Sequence, residues 1–295
     1  MSVPTPVEEF ARAKVNLSLE VLGRRGDGYH ELQSLVVFPD IGDRVTARAA
    51  DDFSLTLEGP FAGALKQEDD NLVLRAARLL ARETGRPGAN LVLHKNLPVA
   101  SGIGGGSADA AATLRALARL WGVRIEAHMP ASLAFTLGAD VPVCLDSRPA
   151  FMWARGERVA RLAGLPPFAL LLVNPGVAVS TAAVFKALAA PALAEMPAVV
   201  ERPAFATLDG LLEWLAAHGN DLEAPARSLA PEIGDVLAAI GATKGCRLAR
   251  MSGSGATCFG IYATENDAQA GADAVAGAHP AWWTAASAVS GCIQL

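Results

Sequence analysis

From Leu97 to Leu117 the chain reads LPVASGIGGGSADAAATLRAL, with Gly102, Gly104, Gly105 and Gly106 packed into five positions. Glycine loses more conformational freedom on folding than any other residue, and two glycines would already serve an ordinary turn. Four of them, running straight into an alanine- and leucine-rich stretch, let the backbone approach a ligand closely and expose successive N–H groups. The predicted helix from about Ser107 turns its positive end toward an anion, with Ser107 as the expected N-cap. The chemistry this predicts is a bed for a di- or triphosphate. Two familiar loops are excluded: the chain has no Gly-Lys dipeptide, as a Walker A loop requires, and Ser107 stands where a dinucleotide fingerprint needs its third glycine. A branched side chain at Gly105 is expected to obstruct the ligand and leave the fold largely intact.

Two further residues have the chemistry to act on a phosphoryl group. Asp140, in GADVP, follows a predicted helix end and precedes Pro142. By residue type alone it is a turn aspartate, but a carboxylate within reach of a hydroxyl can accept its proton during phosphoryl transfer. Lys14 sits beside the alternating Val15, Leu17, Leu19 and Val21, an odd place for a merely solvated lysine. A cation there can hold Asp140 ionised and stabilise charge on the phosphoryl group. Tyr29 and His30, in GDGYHEL, read as a partly buried aromatic and a surface histidine, and Phe185, in AAVFKAL, as helix core. Asn16 and Thr181 are ordinary local hydrogen-bonders, and Gly253, Ser254 and Gly255 suit a tight turn into a strand. His94, His128, His218 and His279 have no company that suggests a metal site, and no magnesium ligand is assigned.

The elements that must position these residues follow from periodicity and punctuation. EFARAKVNLSLEVLG predicts a strand, a glycine-rich turn follows, and QSLVVF, DRVTARAA, DFSLTLEG and ANLVLHKNLP predict more strands. NLVLRAARLLARETG predicts a helix ending at Gly85, and the glycine stretch leads into another, through about Leu120. SLAFTLGADVPVCLD predicts a helix ending at Gly138, then a turn and a strand. After a boundary near AGLPPF come the strand ALLLVNPG, an Ala- and Pro-rich loop from Ala189 to Pro203, helices in LLEWLAAH and EIGDVLAAIGA, and the turn-strand ARMSGSGATCFGIYA. A helix in ENDAQAGADAVAG and a strand in AWWTAASAVSG close the pattern. Strands and helices mix without regular alternation, which predicts an α+β fold.

The chain has 295 residues, 52% hydrophobic and 19% charged, enough for one large domain or two ordinary ones. A net charge of −5 argues against a nucleic-acid binder and leaves room for a local phosphate pocket. The compact apolar run Phe168 to Val173 is far too short to span a bilayer, and no signal peptide is read at the N-terminus. Cys144, Cys246, Cys258 and Cys292 lack CxxC spacing and read as buried free thiols, so a cytoplasmic protein is expected.

The loop, as PVASGIGGGSADAA, resembles the second motif of the GHMP kinases. ARAKVNLSLEVLGRRGDGYHELQSLV, LGADVPVCL, NPGVAVSTAAVF, GNDLEAPA and RMSGSGATCFGIY resemble, in order, motifs of the branch acting on 4-(cytidine 5′-diphospho)-2-C-methyl-D-erythritol. Gly105-Gly106, in place of the Ser-Ser of many GHMP kinases, points to the same branch. The resemblance runs from Ala11 to Tyr262. It implies two domains, a ribosomal-protein-S5-like ATP-binding domain over residues 1–164 and a ferredoxin-like α+β domain over residues 165–295, with the active site in a cleft. It also implies ATP with Mg²⁺ as one substrate complex, no tightly bound cofactor, and small molecules as partners rather than nucleic acid or membrane. Either a monomer or a homodimer is compatible with it.

Carried over by the same resemblance, Lys14 and Asp140 are catalytic, and Pro98, Val99, Ala100, Ser101, Gly102, Ile103, Gly104, Gly105, Gly106, Ser107 and Ala108 hold ATP. Lys95 and Asn71 correspond to nucleotide-side residues. Tyr29, His30 and Phe185 recognise cytosine, Asn16 and Thr181 line the substrate side, and Gly253, Ser254 and Gly255 lie near the phosphates. The competing readings are a kinase for homoserine or mevalonate, whose substrates carry no base to stack, and a catalytically dead sensor or RNA binder. Intact Lys14, Asp140 and glycine loop weigh against the dead relative, and the acidic balance against RNA.

Overall fold

A computed structural model describes residues 5–65, 71–195 and 202–289. Cys292 and part of the Ala189 to Pro203 segment lie outside the described residues. Strand β1 (Val7–Arg12) is followed by the two-residue β2 (Val15–Asn16), β3 (Glu20–Arg24) and β4 (His30–Val37). Next come β5 (Gly42–Ala49), β6 (Ser54–Glu58), helices α1 (Ala62–Leu65) and α2 (Leu72–Thr84), and β7 (Ala89–His94). The long α3 (Gly105–Trp121) precedes three short helices, α4 (Ile125–His128), α5 (Ala131–Phe135) and α6 (Val141–Asp146). Strands β8 (Ala150–Ala154), β9 (Arg158–Arg161) and β10 (Ala169–Asn174) lead to α7 (Thr181–Leu188), α8 (Leu208–Ala217), α9 (Glu223–Leu229) and α10 (Glu232–Gly241). Strands β11 (Leu248–Met251) and β12 (Cys258–Tyr262), helix α11 (Glu265–Ala278) and strand β13 (Trp283–Ala288) follow.

The chain forms two compact units that interleave in sequence. The first comprises residues 1–13, 42–99 and 104–147, the second residues 14–41, 100–103 and 148–295. The expected boundary near residue 164 therefore falls inside the second unit.

In the first unit the sheet order is β1-β5-β7-β6, antiparallel except for the β6–β7 pair. Helix α3 packs on β1, β5, α2 and α6. Its buried face is built from Ala108, Ala110, Ala111, Ala112, Ala116 and Ala118 with Leu114 and Leu117, small side chains that allow close approach. Arg115 ties the layers together. Its guanidinium donates to Glu9 at 3.0 Å, to the Phe10 carbonyl at 2.8 Å and to the Cys144 carbonyl at 2.8 Å.

The second unit holds two sheets. In one, β2-β4-β8-β9 are ordered side by side and β3 also pairs with β4; the other has the order β11-β12-β10-β13. Strand β10 is buried along its whole length between β12 and β13, as its unbroken apolar run requires. Helices α10 and α11 pack on this sheet, and Leu171, Val173, Ile233, Val236, Ile240, Met251 and Tyr262 share its core.

Several expectations are corrected here. The first predicted strand is three, β1, β2 and β3, because at Lys14 the backbone leaves the ladder and donates its N–H to the Ile103 carbonyl at 2.9 Å. VPVCLD is helix α6 rather than a strand, with Pro142 in the first turn, where its missing N–H costs nothing. Helix α3 starts at Gly105, capped by Gly104 in the left-handed conformation at φ 62°, so Ser107 lies inside the first turn. The hairpin β8–β9 and helix α9 carried no clear periodic signal. Within the Ala189 to Pro203 loop, Pro191 to Leu193 run beside the edge of β3. There the Pro191 carbonyl accepts from the Arg24 N–H at 2.7 Å, and the Leu193 N–H donates to the Arg24 carbonyl at 2.8 Å.

Beneath the start of α3, the first unit buries three ionisable groups. The Lys95 ammonium donates to Asp43 Oδ2 at 2.5 Å and to Asp109 Oδ2 at 2.8 Å, and all three residues are at most 2% exposed. Asp43 Oδ1 accepts the backbone N–H groups of Asn96 at 2.6 Å and Leu97 at 2.8 Å, while Asp109 Oδ1 has no partner. Burial opposes the charge on Lys95, but the two carboxylates, Asp109 foremost, hold its pKa above the ordinary lysine value. Burial drives Asp109 the other way for an acid, well above the carboxylate range, with Asp43 adding to the effect. Lys95→Met removes the one cation and leaves two buried carboxylates facing each other. A loss of about 3–5 kcal/mol is expected in urea unfolding at pH 7. A variant as stable as the parent would show that the buried lysine does not hold this unit together.

Candidate active site

In the first unit the candidate residues gather at the N-terminal end of α3. Gly104, left-handed, aims the chain into the helix, and the first amides of α3 lie in the turn that has no intrahelical acceptors. A Cβ on Gly105 would lie 3.0 Å from Lys95 Nζ, so the buried amine occupies the space a side chain needs. A branched residue at Gly105 would therefore press on the Lys95 amine as well as on any ligand. Gly106 faces open space, with nothing within 4 Å of a built Cβ. Ser107 reaches toward the next turn, its Oγ 3.4 Å from where Gly138 would carry a Cβ. Two residues on, Asp140 sits at the N-cap position of α6, and its carboxylate does not cap the helix. Ala108 is buried, its N–H bonded to the Gly104 carbonyl at 2.9 Å.

Two nucleotide-side candidates have structural partners. Asn71 caps α2, its side chain accepting from the Val73 N–H at 2.9 Å, and Lys95 is held by its two carboxylates. Pro98 and Val99 carry the chain from the Asp43-bound amide of Leu97 to Ala100, which takes φ 51°.

In the second unit, the short passage Ala100 to Ile103 lies against the turn Ser252 to Gly255. The Ser252 hydroxyl donates to the Gly102 carbonyl at 3.0 Å, and the Thr257 N–H donates to the Ser101 carbonyl at 3.0 Å. A Cβ on Gly102 would meet the Ser252 carbonyl at 2.5 Å and Gly255 backbone atoms at 2.7 Å; one on Gly253 would meet the Gly102 carbonyl at 2.6 Å. Glycine is required on both sides because backbone touches backbone. The Asn16 N–H donates to Ser252 Oγ at 3.1 Å, and its side-chain amide to Ser34 Oγ at 2.7 Å. Its buried carbonyl oxygen Oδ1 has no partner among the described residues, an acceptor waiting for a donor. Lys14, two residues earlier, is 5% exposed. Ser254 exchanges a hydrogen bond with Thr181 at 2.7 Å, at the first position of α7. The sequence singled out Gly253 to Gly255 but missed Ser252, whose hydroxyl joins Asn16 to Gly102.

Phe185, one turn further along α7, stacks on His30 with centroids 4.6 Å apart and planes 25° from parallel. Burial, with Arg24 adding to it, lowers the His30 pKa, so the ring is neutral at pH 7. Tyr29 is 54% exposed, and the Arg155 guanidinium lies 5.3 Å from its ring centroid. Among the described residues no group of three or more His, Cys, Asp or Glu side chains is arranged to hold a metal ion. None of the described helices is long and apolar enough to cross a membrane.

A glycine turn thus feeds the start of α3, and a second glycine turn packs on Gly102. The description "GHMP kinases N terminal domain" matches residues 71–148 and "GHMP kinases C terminal" matches residues 193–281. The chain belongs to the GHMP kinases. A 4-diphosphocytidyl-2-C-methyl-D-erythritol kinase from Parvibaculum lavamentivorans is 60% identical over 287 residues, covering 97% of this chain and 99% of the relative. One of the same name from Cereibacter sphaeroides is 54% identical, covering 96% and 99%. The crystal structure of a 4-(cytidine 5′-diphospho)-2C-methyl-D-erythritol kinase matches with a TM-score of 0.75 at 35% identity, covering 96% of this chain and 98% of the other. Within the GHMP kinases, the chain belongs to the 4-diphosphocytidyl-2-C-methyl-D-erythritol kinase family. A homoserine kinase from Cytophaga hutchinsonii, at 18% identity and a TM-score of 0.65, shares the fold.

Two glycines of the loop separate packing from ligand space. Gly102→Ala forces a methyl into backbone at a φ of 78°, and a loss of at least about 2 kcal/mol is expected in thermal unfolding. Gly106→Ala fills open space within a helix and is expected to gain up to about 1 kcal/mol. Its methyl enters the proposed phosphate bed, so KM for ATP should rise. Equal stability of the two variants would refute the backbone seat, and an unchanged KM for Gly106→Ala the phosphate bed.

Proposed function

We propose that the chain transfers the γ-phosphoryl group of ATP to the 2-hydroxyl of 4-(cytidine 5′-diphospho)-2-C-methyl-D-erythritol, giving the 2-phosphate and ADP. We assign this reaction to the non-mevalonate isoprenoid pathway, and the reading is supported by relatives named 4-diphosphocytidyl-2-C-methyl-D-erythritol kinase. ATP enters as its magnesium complex, and the phosphates lie along the amides from Gly104 to Ser107 and the turn from Ala100 to Ile103. Asp140 accepts the proton of the attacking hydroxyl. Lys14 keeps that carboxylate ionised and stabilises charge on the phosphoryl group in a loose transition state governed by position and electrostatics. Asn16 and Thr181 orient the methylerythritol, with the unmet Asn16 carbonyl oxygen as acceptor for a substrate donor. We place the enzyme in the cytoplasm, as a monomer or homodimer.

The observation that carries the choice of substrate is the neutral His30 stacked on Phe185, next in sequence to an exposed Tyr29. Flat aromatic surface with a neutral imidazole suits a cytosine, which stacks and offers hydrogen-bonding edges. Homoserine and mevalonate offer nothing to such a surface. A coupled ADP-release assay across candidate alcohols tests the reading. The cytidylylated methylerythritol is the expected substrate, and equal turnover of the 4-phosphate lacking cytidine would refute it.

Asp140→Asn keeps the shape and removes the proton acceptor, so kcat should fall by about 10²–10⁴ with little change in substrate binding. Near-normal turnover by the folded variant would remove Asp140 from the mechanism. Phe185→Ala should weaken substrate affinity by about 1–3 kcal/mol, the scale of base stacking on an aromatic ring, with KM for ATP unchanged. An equal loss toward both substrates would point to a folding defect instead.

A further inference from the structure

We infer that Arg155 is a positioning residue for base recognition: it holds the ring of Tyr29 from one face, so that the ring is set for a stacked cytosine before the substrate arrives. The inference rests on the reading of Tyr29 as part of the base site. Strand β8 pairs with β4, with Ala154 opposite Leu32 in the last register pair. Continuing that antiparallel register carries the β8–β9 turn past the start of β4, toward Tyr29. Ala154 at φ 63° and Gly156 at φ 105° bend the chain, and the Gly156 N–H closes the turn on the Trp153 carbonyl at 3.2 Å. Glu157 then fixes Arg155 twice, accepting its backbone N–H at 2.8 Å and its Nε at 3.4 Å. The clamped guanidinium lies 5.3 Å from the Tyr29 ring centroid.

Tyr29 needs such a partner. Its backbone is well tied: its carbonyl accepts from the Arg25 N–H at 2.7 Å, its N–H donates to Asp27 at 3.1 Å, and Arg25 pairs with Glu31 at 2.5 Å. Its ring projects from this turn and is more than half exposed. A ring free to rotate would lose that freedom each time a base stacked on it, and ordering it in advance removes the cost. A cation on one face leaves the opposite face for the base.

The test is kinetic and spectroscopic. In Arg155→Ala, KM for the cytidylyl substrate should rise about two- to fivefold, the scale of an exposed cation–π contact, while kcat and KM for ATP hold. Arg155→Lys should recover part of the loss. In a Tyr29→Ala background the Arg155→Ala substitution should add nothing, because Arg155 acts through the ring. The chain has two tyrosines, Tyr29 and the buried Tyr262, so tyrosine-labelled protein reports the contact directly. Arg155→Ala should shift the Tyr29 ring signal and leave that of Tyr262 in place. An unchanged Tyr29 signal, or a loss of affinity that persists in the Tyr29→Ala background, overturns the inference. If Tyr29→Ala itself binds substrate normally, the base-site reading of Tyr29 falls and the inference with it; if Tyr29→Ala is impaired and Arg155→Ala is not, the inference falls alone.

Discussion

One buried ammonium governs the local design of the first unit. Lys95 lies between Asp43 and Asp109, and Asp43 uses its other oxygen to receive the amides of Asn96 and Leu97. The carboxylate thus determines where the chain leaves β7 and heads for the glycine turn. The ammonium determines which residue can open the helix, because its nitrogen lies where Gly105 would otherwise carry a side chain. Charge buried this deeply is seldom a net gain against a hydrophobic replacement, so its use here is specificity of position. Asp109 carries the residual tension, with an unpartnered oxygen and a carboxyl that burial makes reluctant to ionise.

The glycines answer four different demands. Gly102 lets two backbones touch, Gly104 supplies a left-handed turn, Gly105 leaves room for the amine, and Gly106 leaves open space. Amides can stabilise a transferring phosphoryl group only if they are already in place, because donors that reorganise during the reaction lose most of their effect. The contact between Gly102 and the Ser252 to Gly255 turn fixes the loop largely by main chain against main chain, with the Ser252 hydroxyl as its side-chain tie.

The legible parts of the fold were those whose signals are local. Helix α2 announced itself through its apolar spacing and Gly85 after it, which serves as its C-cap, while the capping role of Asn71 came from the structure. Strand β10 was legible as an unbroken apolar run. Helix α6 was not, because the alternating valines of VPVCLD favour a strand by propensity; Pro142 in the first turn and the Arg115 bond to the Cys144 carbonyl accompany the helix instead. Among the candidate site residues, motif resemblance proposed those with distinctive neighbours, such as Asp140 and His30. It passed through Asp109 and Ser252 without giving them a contact, and it did not reach Asp43 or Arg155. Their roles exist only once residues far apart in sequence are paired, as when the register of β8 on β4 brings Arg155 to Tyr29.

The interleaving of the two units has a consequence for biosynthesis. Asn16 is bonded to Ser252, 236 residues later, and the Val21 amide to Asp221, 200 residues later. At about 5–20 residues per second, the ribosome needs roughly 10–50 s between making the first partner and the last. Strand β4 gains its pairing partner β8 earlier, after about 115 further residues, while the bonds to Ser252 and Asp221 wait for the C-terminal segments. The second unit, although its strands begin early on the ribosome, is thus late to close, because its N-terminal segment waits for partners near the C-terminus.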